Sequence, residues 1–129
     1  MSAYVPPTEQ LVLELFVRDI RVSKAFYLAL GFELIEDRGS FVVLGWEGHQ
    51  LFLDERPEMS PPLGPPPAVA RANVRVMVPD VDQYFARAQQ LGAPVAAPIA
   101  DRDYGLRDFT LLDPDGFGVR FGTRLQPHR

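Results

Sequence analysis

An arginine stands where chemistry is easiest to suspect. In "DPDGFGVRFG", residues 113–122, Asp-Pro-Asp-Gly has the composition of a tight turn, and the residues after it alternate like a strand. The alternation puts Arg120 on one face with Gly118 and Gly122, the face that should point inward on a closing strand. Glu14 and Arg75 are charged residues inside two other apolar alternating runs. A carboxylate such as Glu14 works as a general base if burial raises its pKa, and Arg75 and Arg120 are the groups that would then stabilise an enolate or oxyanion. Other chemistries fail on residue types. There is no Gly-x-Ser-x-Gly, and none of the four serines lies near a histidine in sequence. "GFG" at 116–118 precedes no helix, so it is not a dinucleotide-binding turn. With no cysteine, disulfides, thiolate nucleophiles and thiolate zinc sites are excluded.

The bulk properties narrow the class further. A chain of 129 residues suits one domain or two small modules sharing a core. The net charge of −4, with no cluster of Lys and Arg, argues against a nucleic-acid surface. No apolar run approaches the ~20 residues of a membrane span, and "MSAYVPPTEQ" does not read as a signal peptide. A reducing, cytoplasmic location is the expectation.

The elements that must carry these residues come in two copies. "VLELFVRDIRVSKAFYLALGFELI" from Val12 and "NVRVMVPDVDQYFARAQQLGAPVA" from Asn73 run in parallel at an offset of 61 residues. Each begins with an alternating strand, continues through an Asp placed to favour the positive end of a helix, and ends the helix at a glycine 12 residues later. The predicted apolar helix faces are Val22, Ala25, Phe26, Ala29 and Leu30, and then Val81, Tyr84, Phe85, Ala88 and Leu91. Further strands are predicted at 32–36, 40–46 and 49–54, and at 94–97, 107–112 and 117–122. The chain therefore divides into an N-terminal arm (1–9), a first βαβββ module (10–56), a Pro-rich linker (57–70), a second βαβββ module (71–124) and a tail (125–129). The linker holds six of the 13 prolines, so it is expected to be stiff and extended. The fold class is α+β: two tandem βαβββ modules forming a cup-shaped mixed sheet, with the helices on its outer face.

This duplicated pattern resembles the vicinal oxygen chelate superfamily, which includes glyoxalase I, extradiol dioxygenases and the fosfomycin and bleomycin resistance proteins. The resemblance is carried by "VRDIRVSKAFYLALGFELI", "VMVPDVDQYFARAQQLGAPV" and "YGLRDFTLLDPDGFGVRF". It implies four metal-ligand positions, on strands facing the cup. Two lie seven residues before the helix-start Asp of each half, at Val12 and Asn73. One aligns with Phe52, and the last lies seven residues after the first Asp of "DPDG", at Arg120. Val and Phe cannot ligate, Asn is a weak oxygen ligand and Arg is a fixed cation, so no metal and no other cofactor are expected. His49 and His128 fall at a hairpin and in the tail, where solvated histidines are common.

From those positions, the resemblance implies an inner face carrying Val12, Glu14 and Phe16, then Gln50, Phe52 and Asp54. Asn73, Arg75 and Met77 follow, with Gly118, Arg120 and Gly122 closing it. Glu14 and Arg75 then occupy equivalent places in the two repeats. A purely structural outcome has Glu14 neutralising Arg75 or Arg120. A functional one has these polar groups and Asn73 orienting a ligand over Phe16, Phe52 and Met77. Tyr104 matches the aromatic residue of the similar "WGREF" stretch that lies against the drug in bleomycin resistance proteins, and Trp46 is the other aromatic expected outside the core. The expected ligand-binding set is thus Glu14, Phe16, Trp46, Phe52, Asn73, Arg75, Met77, Tyr104 and Arg120, with Glu14 catalytic if the protein is an enzyme. The expected function is metal-free small-molecule binding and sequestration, of which antibiotic resistance is one role. Relatives of this kind imply a homodimer, and Pro6-Pro7 is a candidate hinge for an arm reaching the partner. The alternatives are a lyase or isomerase with a divergent active site, a metal enzyme whose ligands lie at other positions, and a scaffold or partner-binding module with a filled cup.

Overall fold

The two Asp-to-Gly intervals are helices. Asp19 caps α1 (Ile20–Leu30), its side chain accepting from the Arg21 N–H, and Asp80 caps α2 (Val81–Leu91), accepting from the Asp82 N–H. Gly31 and Gly92 end them at φ of 115° and 68°, the left-handed conformation in which glycine carries no steric penalty. The structure, a computed structural model, describes residues 4–59 and 72–126. Most of the linker therefore lies outside the described residues, as do the first three residues of the arm and the last three of the tail, His128 among them.

The strands are β1 (Leu13–Val17), β2 (Glu33–Asp37), β3 (Phe41–Trp46) and β4 (His49–Glu55), then β5 (Asn73–Met77), β6 (Val95–Asp101), β7 (Leu106–Leu112) and β8 (Gly118–Arg124). They form two four-stranded mixed sheets, ordered β1-β4-β3-β2 and β5-β8-β7-β6. In each the first and last strands pair in parallel and the other neighbours are antiparallel. The fold is thus α+β, two tandem βαβββ modules, and the chain divides into the compact units Met1–Pro61 and Pro62–Arg129.

Each helix covers one face of its own sheet. In the second unit Phe109, Leu111, Val119 and Phe121 are fully buried on that face, with Tyr84 stacked on Phe121 and Phe85 edge-on to Phe109. α2 buries Val81 and Ala88 as expected, although Leu91 stays partly exposed. α1 requires a correction. Its buried residues are Ile20, Ser23, Tyr27 and Leu30, while Val22, Ala25 and Ala29 of the expected face are exposed. α1 is apolar on more than one side, so its periodicity admits two stripes. The start of the helix chooses between them: Asp19 caps it, and Glu55 Oε2 accepts the Ile20 N–H at 3.0 Å. From that start Tyr27 falls inward, edge-on to Phe26 and Phe32.

The same junction recurs in the second unit with different chemistry. Thr123 Oγ1 accepts the Val81 N–H at 2.9 Å and donates to the Val78 carbonyl at 2.8 Å. β6 runs to Asp101, beyond the expected 97, through Pro98. It is an edge strand with two register shifts, and an edge tolerates a residue that cannot donate. In the arm, Pro6 precedes a 3-10 turn at Pro7–Glu9.

Candidate functional site

Alternation on β5, β7 and β8 sends one set of side chains to the sheet face away from α2. Cross-strand register puts Arg75 beside Arg120 and Met77 beside Gly122 on the parallel pair, and Asp108 beside Gly122 and Thr110 beside Arg120 on the antiparallel one. This face opens into a concavity of about 1080 Å³ lined by residues of the second unit. Four of the expected ligand-binding residues line it: Arg75, Met77, Tyr104 and Arg120. Leu106, Arg124 and Leu125 join them.

Within its own unit Arg120 has a carboxylate partner. Its partner is Asp108, two strand positions from Leu106 on β7, whose side chain is 1% exposed. Arg120 Nε donates to Asp108 Oδ2 at 3.1 Å, and its terminal nitrogen lies 3.0 Å from the same oxygen. The Tyr104 hydroxyl donates to Oδ2 at 2.7 Å, and Arg120 also donates to that hydroxyl. Arg102 Nε reaches Oδ1 at 2.8 Å, while its Nη2 donates to the carbonyls of Pro98 and Asp108. One buried carboxylate thus fixes two guanidinium groups and a phenol.

Burial would raise the Asp108 pKa. The hydrogen bonds from Tyr104 and Arg102, with the charge and hydrogen bond of Arg120, outweigh it and hold the carboxyl below its ordinary value. Tyr104 goes the other way: burial of its hydroxyl and the bond to Asp108 raise its pKa, so it stays a protonated donor. The residue is 52% exposed where it lines the concavity, its hydroxyl anchored to Asp108. Arg107, next along β7, points to the other face and pairs with Asp82 and Asp101.

The first unit presents the equivalent face with different residues. Glu14 is the register partner of Phe52, as Arg75 is of Arg120, so Phe52 holds the place of the arginine. Phe52 lies edge-on to Phe41 at 5.2 Å, and Phe16, 51% exposed, has the Arg56 guanidinium 4.8 Å above its ring. Glu14 is exposed beside them, and in the second unit Asn73 is exposed at the start of β5. Trp46 is a correction: it alternates with Gly45 onto the helix-side face and packs against Phe32 at 4.9 Å. The sequence reading missed Asp108 and Arg102. The available signal was an acidic residue at an inward position of "LRDFTLL", which requires a buried partner.

A family model described as the Glyoxalase/Bleomycin resistance protein/Dioxygenase superfamily matches residues 10–121. The chain belongs to this superfamily. No curated protein matches the sequence. Solved structures share the fold. A glyoxalase/dioxygenase from Nostoc punctiforme is 20% identical, with a TM-score of 0.75 over 98% of this chain and 99% of that one. A bleomycin-binding protein complexed with bleomycin is 18% identical, with a TM-score of 0.67 over 90% and 98%. A lactoylglutathione lyase from Agrobacterium tumefaciens is 23% identical, with a TM-score of 0.66 over 92% and 96%.

The positions at which the resemblance implies metal ligands are held by Val12, Phe52, Asn73 and Arg120. This donor set does not suit a divalent ion. Two side chains have no donor atom, and Arg120 brings a positive charge locked to Asp108 and Tyr104. Among the described residues no three His, Asp or Glu converge as metal ligands.

Proposed function

We propose that this superfamily member is a metal-free small-molecule binding protein that sequesters its ligand stoichiometrically, antibiotic resistance being one role such sequestration serves. The observation that carries the reading is the open concavity over β5, β7 and β8. There an exposed tyrosine, Tyr104, and a thioether, Met77, stand beside the Arg120 guanidinium, already oriented by a buried carboxylate. Pockets of this kind combine apolar walls with a few fixed polar groups. The fold shared with a bleomycin-binding protein supports the same choice. Glu14, the candidate base of a lyase or isomerase, is an exposed side chain on β1 rather than a buried one.

A cytoplasmic homodimer is the assembly this reading favours. Tyr4 is 99% and Leu11 92% exposed, and Val22, Leu34 and Ile35 add exposed apolar surface. Burial of such groups against a second copy would stabilise both chains. Sedimentation equilibrium is expected to give twice the chain mass of 14.5 kDa, and a monomer at micromolar concentration refutes the assembly.

Thermal-shift screening tests the function. Ligand at a hundred times its Kd stabilises the folded state by about 2.7 kcal/mol, a readily measured rise in Tm. Glycopeptide, phenazine and other aromatic antibiotics form the first panel. A hit recovered chemically unchanged supports sequestration, whereas a hit that the protein converts to product makes it an enzyme.

A further inference from the structure

Three arginines line the concavity, Arg75, Arg120 and Arg124, and among the described residues no carboxylate does. Arg75 and Arg120 are register partners on adjacent strands, where like charges repel. Arg120, Gly122 and Arg124 alternate along β8 on one face, and Gly122 lets Asp108 and Met77 pack closely between the two arginines. A Cβ there would stand 3.4 Å from the Asp108 Cβ and 3.6 Å from the Met77 sulfur. The Asp108 carboxylate, buried on this face, is already shared between Arg102 and Arg120. Arg75 and Arg124 have exposed side chains with no ion pair to any described residue. The acidic chain therefore carries a local excess of fixed positive charge over an apolar wall of Met77, Leu106 and Leu125.

Resting on the small-molecule reading, we propose that the concavity takes an amphipathic organic anion. Its oxyanion, a carboxylate or a phosphate ester, sits among Arg75, Arg120 and Arg124, and its apolar body lies against Met77, Leu106, Leu125 and the Tyr104 ring. Guanidinium forks match the planar geometry of a carboxylate and the oxygens of a phosphate. Asp108 and Tyr104 hold Arg120 in place before the ligand arrives, which lowers the ordering cost of binding. Over the ~10 Å of an electrostatic screening length, these nearby charges outweigh the chain's net charge of −4.

Calorimetric titration of the full chain with four probes sharing one ring system tests this: naphthoate, naphthyl phosphate, naphthamide and naphthylmethylammonium. At least one anion is expected to bind about tenfold or more tightly than the amide or the ammonium ion, and to weaken as salt is raised. The ratio of the two anions identifies the preferred oxyanion. Arg75→Gln and Arg124→Gln are each expected to weaken anion binding about tenfold without lowering Tm, since neither side chain has an ion pair to a described residue. Equal or tighter binding of the amide or ammonium probe overturns the anion assignment but leaves small-molecule binding intact. Failure of all four probes also overturns it. If the antibiotic panel likewise gives no thermal shift, the parent reading falls with it.

Discussion

Asp108 has two jobs that pull in the same direction. It neutralises Arg102 and Arg120, and by doing so it sets the positions of the arginine and the tyrosine that face the concavity. Replacing it with a neutral isostere leaves two mostly buried guanidinium groups short of a counter-charge. Asp108→Asn is therefore expected to cost about 2–3 kcal/mol in urea unfolding, somewhat less than a fully buried pair because the arginines keep some contact with water. The pH dependence follows from the sign of its shift. The carboxyl titrates lower in the folded protein than its ordinary 3.8, so its contribution is complete above that value and disappears as pH falls through the lower folded one. Stability measured across the acid range should drop more gently in Asp108→Asn than in the unaltered protein. An unchanged acid limb would show that Asp108 does not carry the linkage.

The two modules solve one structural problem with different side chains. Each last strand must be tied to the N-terminus of the helix in its module, where the first N–H groups lack helical partners. Glu55 does this in the first unit and Thr123 in the second. Thr123 is the more exacting case, because its hydroxyl accepts from Val81 and donates to Val78. Thr123→Val keeps the shape and removes both bonds, for an expected loss of about 1–2 kcal/mol. Hydrogen exchange should show the change as faster exchange at the Val81 amide and the next amides of α2, with the first unit's α1 unaffected. The same comparison explains why the candidate site lies in the second unit: Phe52 fills the place of Arg120, and the face of the first unit becomes an aromatic surface.

For the molecule as a whole, the question that divides the superfamily is whether a metal sits in it. The residues at the four ligand positions predict that it does not: dialysis against a chelator is expected to leave Tm and ligand binding unchanged, and added zinc, nickel or manganese to leave Tm where it was. A stoichiometric ion retained through purification, with loss of binding on its removal, would falsify the metal-free reading. The local charge of the concavity and the acidic balance of the chain also act at different ranges. Salt should therefore weaken an anionic ligand through the nearby arginines more than it alters the solubility set by net charge.

The duplicated βαβββ pattern was legible because its signals are local. An Asp before each helix, a glycine after it and strand alternation depend on neighbours in sequence, and all three occupy the expected places. The same alternation puts Arg75 with Met77 on one face of β5, and pairing with β8 adds Arg120 to it. What sequence could not decide was partner choice. By strand pattern alone Glu14 was the carboxylate offered to Arg75 or Arg120, and Asp108 holds Arg120 because β7 lies beside β8 with Asp108 and Arg120 on the same face. α1 offered two apolar stripes, and the tie between Ile20 and Glu55, 35 residues apart, fixed which one turns inward. Trp46 read as a site aromatic until the register of β3 placed it against Phe32. Local hydrogen bonding and periodicity wrote the elements into the sequence; the pairing of charges and the facing of rings arose from contacts between distant segments, which only the folded chain brings together.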